Sequence, residues 1–236
     1  MWKKSLTLLV VVAFSGCGNR EASTTPTPQP QPTPTLEDSL MDKSILTGEP
    51  CEAPCWYGLE VGKSTKTEVL AVVSSLTFID SEETFEEPWS YWDPIKQESL
   101  PSTQLLIECR QPKDDTCVAM EFVNDKLRMI ILSPNYYLSF QEVVEHLGDP
   151  DYVTRDSIRG RPDECNISLE WSQLFIVIIS SSSDNNLIQC SDISEGKRID
   201  PNLPVHFIYY TVTDNASLIR TPDPWGDFLW TGFIKP

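Results

Sequence analysis

The sequence predicts an α+β protein made of two tandem repeats, each a short helix packed on an antiparallel sheet, after a disordered Pro/Thr-rich tether. Three observations predict this class. Prolines occupy every second position from 26 to 34, two helix-start patterns recur 74 residues apart, and strand-like alternation follows each pattern. A helix followed by strands, twice over, is typical of α+β units in which the helix covers one sheet face.

The chain begins with the pattern of a signal peptide. Lys3 and Lys4 supply positive charge, residues 5–14 are almost wholly apolar, and two small residues precede Cys17. The apolar run has ten residues, whereas a helix needs about 20 to cross a bilayer. Residues 1–16 are therefore predicted to direct export and to be cleaved, rather than to form a permanent transmembrane helix.

The stretch Phe14-Ser15-Gly16-Cys17 resembles the lipobox of bacterial lipoproteins, although most members carry Leu where this chain has Phe14. The resemblance implies that Cys17 receives diacylglycerol and becomes the new N-terminus. The protein would then lie on the extracytoplasmic face of a cell-envelope membrane, with the lipid anchor as its membrane partner. The alternative is an ordinary signal peptide that happens to end at a cysteine.

Residues 17–50 are predicted to form a linker. Within it, residues 19–35 are rich in Thr, Gln and Pro, a composition that forms neither a helix nor a packed core. In polyproline II form this tract extends by about 3.1 Å per residue, so it could hold a domain up to ~50 Å from the lipid. The alternative is a Pro-rich ligand for a small recognition domain.

The chain is strongly acidic. It has 18 Lys+Arg against 35 Asp+Glu and a net charge of −17, which becomes −19 once the two lysines of the signal peptide are removed. This charge argues against nucleic acid and against electrostatic docking on anionic lipid, because both would repel the protein. The folded part, from about residue 36, is long enough for one large or two small domains.

Six cysteines remain once Cys17 is lipidated, an even number that predicts disulfides in an oxidising compartment. They are Cys51, Cys55, Cys109, Cys117, Cys165 and Cys190. Six cysteines allow about 15 connectivities, of which we favour pairing between sequence neighbours, so that the last two pair with each other. The alternatives to disulfides are a zinc site and a thioredoxin-type redox site. Both are disfavoured, because the chain has no CxxC pair and has only two histidines. We predict no metal and no cofactor.

Two capping boxes mark the predicted helix starts. Thr65 with Glu68, and Ser139 with Glu142, have the Ser/Thr-x-x-Glu spacing in which each side chain satisfies a free amide of the first turn. Apolar residues follow both boxes at helical spacing, and the second helix is predicted to stop at Gly148.

Strand-like segments follow each helix. Residues 118–122 and 127–131 alternate apolar with smaller or polar residues, and Asn124-Asp125 can turn the chain between them, which predicts a hairpin. The second half has three strand-like runs, at residues 167–171, 174–179 and 205–213. The predicted units are residues 51–132 and 133–236.

Short phrases at the two helices resemble a family signature. Gly62-Lys63-Ser64-Thr65 with Glu68-Val69, and Glu142-Val143 with Leu147-Gly148-Asp149-Pro150, are similar to G-x-[ST]-x-x-E-V…L-G-x-P. That signature recurs in small lipoproteins of the outer-membrane assembly (SmpA/OmlA) type and in the tandem-repeat β-lactamase-inhibitor-protein fold. The first helix lacks the Gly-x-Pro ending and the second lacks the leading glycine. The resemblance implies a non-catalytic tandem α+β fold and carries over no partner-contact residue.

Residues 81–94 mix acidic and aromatic side chains. Such a surface suits a cationic or sugar ligand, because aromatic faces give contact area and carboxylates orient polar groups. The candidate ligand patch consists of Glu86, Glu87, Trp89, Tyr91 and Trp92. The interpretation that we favour is instead a solvated loop that leads into a strand whose aromatic residues face the core, because Trp and Tyr also fill cores.

The sequence contains no Gly-rich phosphate loop, HExxH, Gly-x-Ser-x-Gly or EF-hand pattern. His146 on the second helix and His206 in an apolar strand are predicted to be structural. These observations favour a non-enzymatic module, without catalytic residues, that binds a protein or envelope ligand. The alternative is an envelope or extracellular carbohydrate-active hydrolase, whose carboxylate pair cannot be picked out among 35 acids.

Overall fold

The computed structural model describes residues 40–93, 98–111, 116–158, 161–171, 174, 176–180, 199–212 and 228–229. At residues 91–93, 155–158, 161–162 and 228–229 the description covers the backbone alone. All of these residues belong to one compact unit, Pro34–Pro236. The predicted signal peptide, the lipidation site Cys17 and the Pro-rich tract lie outside the described residues.

The described helices are short. They are α1 (Ser44–Thr47), α2 (Lys66–Val73) and α3 (Phe140–Leu147). The strands are β1 (Cys55–Trp56), β2 (Leu59–Glu60), β3 (Ile79–Asp93), β4 (Glu98–Cys109), β5 (Thr116–Val123), β6 (Lys126–Leu132), β7 (Tyr152–Ile158), β8 (Arg161–Trp171), β9 (Ile176–Ser180), β10 (Phe207–Thr211) and β11 (Phe228–Leu229).

Nine of the strands form one antiparallel sheet in the order β11-β7-β8-β9-β10-β6-β5-β4-β3. Strands β1 and β2 pair separately. The α+β class predicted from the sequence is confirmed as a large antiparallel sheet with few short helices. In the middle of the sheet β10 pairs with β6, and Ile208 lies opposite Leu132. We call the β10–β6 pairing the seam.

Both predicted capping boxes are confirmed. Thr65 and Ser139 are the N-cap residues of α2 and α3, and each hydroxyl accepts from the backbone N–H of the glutamate three residues later. The Glu68 carboxylate accepts the Thr65 backbone N–H at 2.7 Å, and Glu142 accepts that of Ser139 at 2.8 Å. Two free amides are thus satisfied at the start of each helix.

Helix α3 ends at Gly148, as predicted, but this residue does not adopt the left-handed helical conformation in which glycine commonly ends a helix. Gly148 has a positive φ of 81° together with an extended ψ of −175°. In this geometry the Gly148 carbonyl accepts the indole N–H of Trp171 at 3.0 Å. A contact with β8 therefore accompanies the end of the helix, besides the local hydrogen bond from the Gly148 N–H to the Val144 carbonyl.

The predicted hairpin is confirmed by β5 and β6. Asn124 and Asp125 connect the strands, with φ values of 50° and 63°. Two consecutive positive φ angles match the right-handed twist of the flanking strands, and Asn and Asp tolerate them better than most residues.

One sheet face carries the core. Helices α2 and α3 place Val69, Val73 and Val143 against it, all buried, whereas Leu147 is only half-buried. The residues of this face form one cluster with the helices, and they include Leu105, Met120, Ile130, Tyr210 and Ile176. We call it the core face and the opposite side the outer face.

Residues 40–50, for which the composition predicts linker, contain α1 with its buried residue Ile45. Folded structure is therefore present before residue 51, because an apolar side chain in this stretch joins the core cluster. Across the described ranges, no helix combines the length and apolarity that crossing a membrane requires.

Candidate functional site

All five residues of the predicted ligand patch lie on β3, the outermost strand at one edge of the sheet. The stretch from residue 81 to 93 is strand, so the favoured interpretation of a solvated loop is wrong for its backbone. Trp89 is 51% exposed and does not face the core. The side chains of Tyr91 and Trp92 lie outside the described part of the structure.

The pleat of β3 separates Glu86 from Glu87 and Trp89, because successive side chains of a strand point to opposite faces. Glu86 lies opposite the core residue Leu105. Its carboxylate forms an ion pair with the ammonium group of Lys66, the first residue of α2. Glu86 therefore belongs to the core-face side of the sheet and does not share a surface with Glu87.

The outer face of β3 and β4 exposes aromatic and polar side chains together. Phe85 and Trp89 are 47% and 51% exposed, and Glu87 lies between them at a spacing of two residues. Opposite Phe85 and Glu87 on β4 are Leu106 and Gln104, both half-buried. We call these five residues the outer patch. Among the described residues, the Glu87 carboxylate has no hydrogen-bond or ion-pair partner.

A buried carboxylate borders the outer patch. Glu121 on β5 lies opposite Gln104 and is 4% exposed. Its carboxylate accepts a hydrogen bond from the Ser102 hydroxyl at 2.9 Å. Burial raises the pKa of Glu121, while the Ser102 hydrogen bond and the positive charge of Arg128 act in the opposite direction and are outweighed. Sequence patterns give no signal for this pair, because the two residues are 19 positions apart on different strands.

Exposure varies along the outer face, and Phe207 on β10 is also 37% exposed there. Farther along the sheet, Ser168, Glu170 and Val177 point to the same face by register and are buried. Of the aromatic residues described on the outer face, Trp89 and Phe85 of β3 are more exposed than Phe207.

The predicted disulfides are confirmed for two pairs. Cys51 is bonded to Cys55 and Cys109 to Cys117, with Cα–Cα distances of 5.7 and 5.5 Å. Cys165 is also disulfide-bonded. Its predicted partner, Cys190, lies outside the described residues.

A polar network near the first disulfide was not predicted. The Asp42 carboxylate accepts hydrogen bonds from the Trp56 indole, the Tyr57 hydroxyl and the Ser44 backbone N–H. The Asp42 backbone N–H in turn donates to the Asn135 side chain, 93 residues away. No local sequence signal indicates so distant a contact.

Asn135 extends this network across the end of the sheet. Its amide nitrogen donates to the Leu40 carbonyl at 2.7 Å and to the Gln111 carbonyl at 2.9 Å. The chain segment that leads into the domain is thus held beside the end of β4 and the end of β6. Asp42 and Asn135 thus join this segment to the body of the domain.

A groove of about 430 Å³ lies at this end of the sheet, lined in part by the Cys109–Cys117 disulfide, Asn135, His206 and Phe207. Burial lowers the pKa of the His206 imidazole, which favours its neutral form. None of the lining residues that the structure describes carries a carboxylate.

Two further kinds of site were considered, a histidine site at His146 and a metal site. His146 lies exposed in the last turn of α3, where a cation is favourable to the helix dipole. Within the described ranges, no group of three or more His, Cys, Asp or Glu side chains is arranged to hold a metal ion. We take the outer patch as the candidate binding surface, because it combines the exposed side chains of Trp89 and Phe85 with the Glu87 carboxylate.

Comparison of the chain with models of protein families, with curated proteins and with solved structures finds no match.

Proposed function

We propose that this chain is a lipid-anchored lipoprotein of the cell envelope whose folded part is a non-enzymatic binding module. The lipobox-like stretch that ends at Cys17 supports the anchor. The disulfides support an extracytoplasmic position, because such bonds persist in oxidising compartments. The Pro-rich tract would act as the spacer between lipid and domain.

We also propose that the folded part arose from two tandem α+β repeats, as the family resemblance implies. Helices α2 and α3 start with the same capping box, and a four-stranded antiparallel meander follows each, β3–β6 and β7–β10. The last strand of each meander, β6 or β10, lies at the seam. From the seam toward either edge, the strands of each meander follow in reverse chain order, so both meanders have the same strand order. An experimental structure tests the proposal, because the units α2–β6 and α3–β10 should superpose strand for strand. Helices α2 and α3 on opposite faces of the sheet would contradict it.

The outer patch carries the binding proposal. Monomeric proteins rarely leave a tryptophan and a phenylalanine about half exposed on the same strand face without a reason, and exposed aromatic surfaces mark sites of interaction. Trp89 and Phe85 provide rigid contact area, and Glu87 provides a carboxylate that no described residue neutralises. Aromatic side chains of this kind dominate the energies of protein interfaces.

Site-directed photo-crosslinking in the cell envelope tests this function. A photoreactive phenylalanine placed at Gln104 should give discrete adducts with a partner, and Trp89→Ala in the same chain should abolish them. The same probe at Leu70, which is 43% exposed on α2, is the matched control and should give none. Equal crosslinking from both positions would show that the outer patch is not the recognition surface.

One observation favours a hydrolase as the second candidate. Glu87 and Glu121 both lie opposite Gln104, on either side of it, and two strand spacings amount to ~9.5 Å. That is the upper end of the range for the two acids of inverting glycosidases, and the raised pKa of Glu121 suits a general acid.

The burial of Glu121 weighs against this candidate, since a substrate would have to displace the residues that cover it. Assays on envelope polysaccharides with wild type and with Glu121→Gln test it directly. Turnover that the substitution abolishes would replace the binding proposal.

A further inference from the structure

We propose that the outer patch recognises an arginine side chain on a basic protein partner, with the guanidinium group lying over the Trp89 ring and paired with Glu87. The proposal rests on the proposed binding function and names the chemistry of its partner.

The spacing on β3 suits this pairing. Residues two apart on a strand point to the same face and lie about 7 Å apart, which is close enough for one planar cation to touch the ring of Trp89 and the carboxylate of Glu87. Arginine combines stacking on an aromatic face with bidentate hydrogen bonds to a carboxylate, whereas lysine presents a compact, strongly hydrated charge. The pair therefore selects arginine over lysine.

The apolar neighbours extend the contact. Phe85 is exposed on one side of Glu87, and Leu106 lies opposite Phe85 on β4. The methylene groups of an arginine, or an apolar residue beside it on the partner, can cover these side chains while the charged group remains at Glu87. Gln104, opposite Glu87, adds a polar group that can hydrogen-bond to the partner backbone.

Charge complementarity favours a basic partner over the other occupants of an exposed sheet face. Three further glutamates on the same strand, Glu82, Glu83 and Glu86, are exposed, and the chain carries a net charge of −17. The ammonium group of Lys66 is already paired with Glu86. A second copy of this chain, an anionic lipid surface or a nucleic acid is itself negatively charged, so the negative potential of this surface would repel it.

Binding of two labelled peptides to the lipidated mature chain in detergent tests the proposal. A nona-arginine peptide should bind at least about threefold more tightly than nona-lysine. Trp89→Ala and Glu87→Gln should each weaken nona-arginine binding by about three- to tenfold, measured by fluorescence anisotropy at fixed salt. Because both side chains lie on the solvent-facing side of an edge strand, the far-ultraviolet circular dichroism of both variants should match that of wild type.

Two matched controls distinguish binding at the outer patch from non-specific attraction of the peptides to the negative charge of the protein. Glu86→Gln removes the same charge from the opposite face of β3, and Leu70→Ala removes an exposed apolar side chain from α2; both should change affinity less than about twofold. Equal weakening by Glu86→Gln and Glu87→Gln, or equal affinity for the two peptides, would overturn the proposal.

The crosslinking experiment at Gln104 distinguishes failure of the arginine proposal from failure of the proposed binding function. Adducts that depend on Trp89, together with no preference for arginine peptides, would overturn the arginine proposal and leave the binding function standing. An absence of adducts as well would overturn both.

Discussion

The indole N–H of Trp56 donates a hydrogen bond to the carboxylate of Asp42 at 2.8 Å. Trp56 is fully buried in the core cluster, so its only polar group needs an acceptor inside the protein. The acceptor comes from the segment just before α1, which the composition assigns to the linker. The entry to the domain is therefore part of its core.

Replacing Asp42 with Ala should lower the free energy of unfolding by about 1–3 kcal/mol, because the buried indole N–H of Trp56 loses its acceptor. Urea denaturation of the disulfide-intact protein measures the change. Glu52→Ala, at an exposed position in the following loop, should stay within ~0.5 kcal/mol of wild type. Equal effects of the two substitutions would contradict a structural role of Asp42.

Replacing Thr65 or Ser139 with Ala should each cost about 1 kcal/mol, because each hydroxyl caps a free amide of its helix. Thr67→Ala, at an exposed position inside α2, is the control and should not destabilise, since Ala has the higher helix propensity. A Thr65→Ala variant as stable as wild type would contradict the capping box as a source of stability.

Acid should reduce the cost of Thr65→Ala. Hydrogen bonds from the backbone N–H of Thr65, and then from its hydroxyl, lower the pKa of Glu68 below its usual value of 4.5. A lowered pKa gives stability that is present above the unfolded-state pKa and is lost as pH falls through the folded-state value. Denaturation of both proteins at pH 7 and below pH 4 should show the difference in unfolding free energy shrinking in acid.

Glu121→Gln should stabilise the protein at neutral pH and have little effect in acid. Burial raises the pKa of Glu121 above 4.5, so its favourable contribution is fully present below the unfolded-state pKa and is lost as pH rises through the folded-state value. Glutamine keeps an acceptor for Ser102 and has no charge to desolvate. Urea titrations at pH 4 and pH 7.5 measure the difference, and a pH-independent difference would contradict the assignment.

Loss of the Cys109–Cys117 disulfide, through Ser at both positions, should cost about 2–4 kcal/mol. Loss of Cys51–Cys55 should cost less, because it closes a loop of sequence separation 4 rather than 8. Guanidinium denaturation of the two double variants gives the order. Alkylation of the unreduced mature protein should label none of the six cysteines, and two or more labelled thiols would contradict the disulfide framework.

Cys17→Ala should abolish incorporation of labelled palmitate and leave the protein unprocessed or released from the membrane. The expectation follows from the lipobox-like residues that precede Cys17. Cys51→Ser is the control and should still be labelled, because Cys51 forms a structural disulfide. Membrane retention that is unchanged in Cys17→Ala would exclude the lipid anchor.

Local features of the fold were predictable and distant ones were not. The capping boxes at Thr65 and Ser139 and the turn at Asn124-Asp125 depend on residues at most three positions apart, so their patterns are visible in the sequence. The contact between Asp42 and Asn135 depends on how the ends of β4 and β6 come together, which no local pattern encodes.

Strand β3 shows how tertiary contacts override local preference. It contains four glutamates and Pro88, residue types that are depleted in strands. Pairing with β4 nevertheless continues through Pro88, which lies opposite Thr103. An edge strand tolerates a proline because one side of its backbone has no neighbouring strand to bond. The outer patch could therefore be predicted as a set of residues, but not as an exposed strand face.

The seam has a consequence for the order of folding. Hairpins such as β5–β6 close over a few residues, whereas Ile208 and Leu132 at the seam are 76 positions apart. Closing so long a loop costs conformational entropy before the pairing returns any energy. We expect the meander β3–β6 to gain hydrogen-exchange protection first, with β6 left as an open edge until β10 arrives. During that interval β6 can pair with other chains, so the delay at the seam would limit the yield of refolding at high protein concentration.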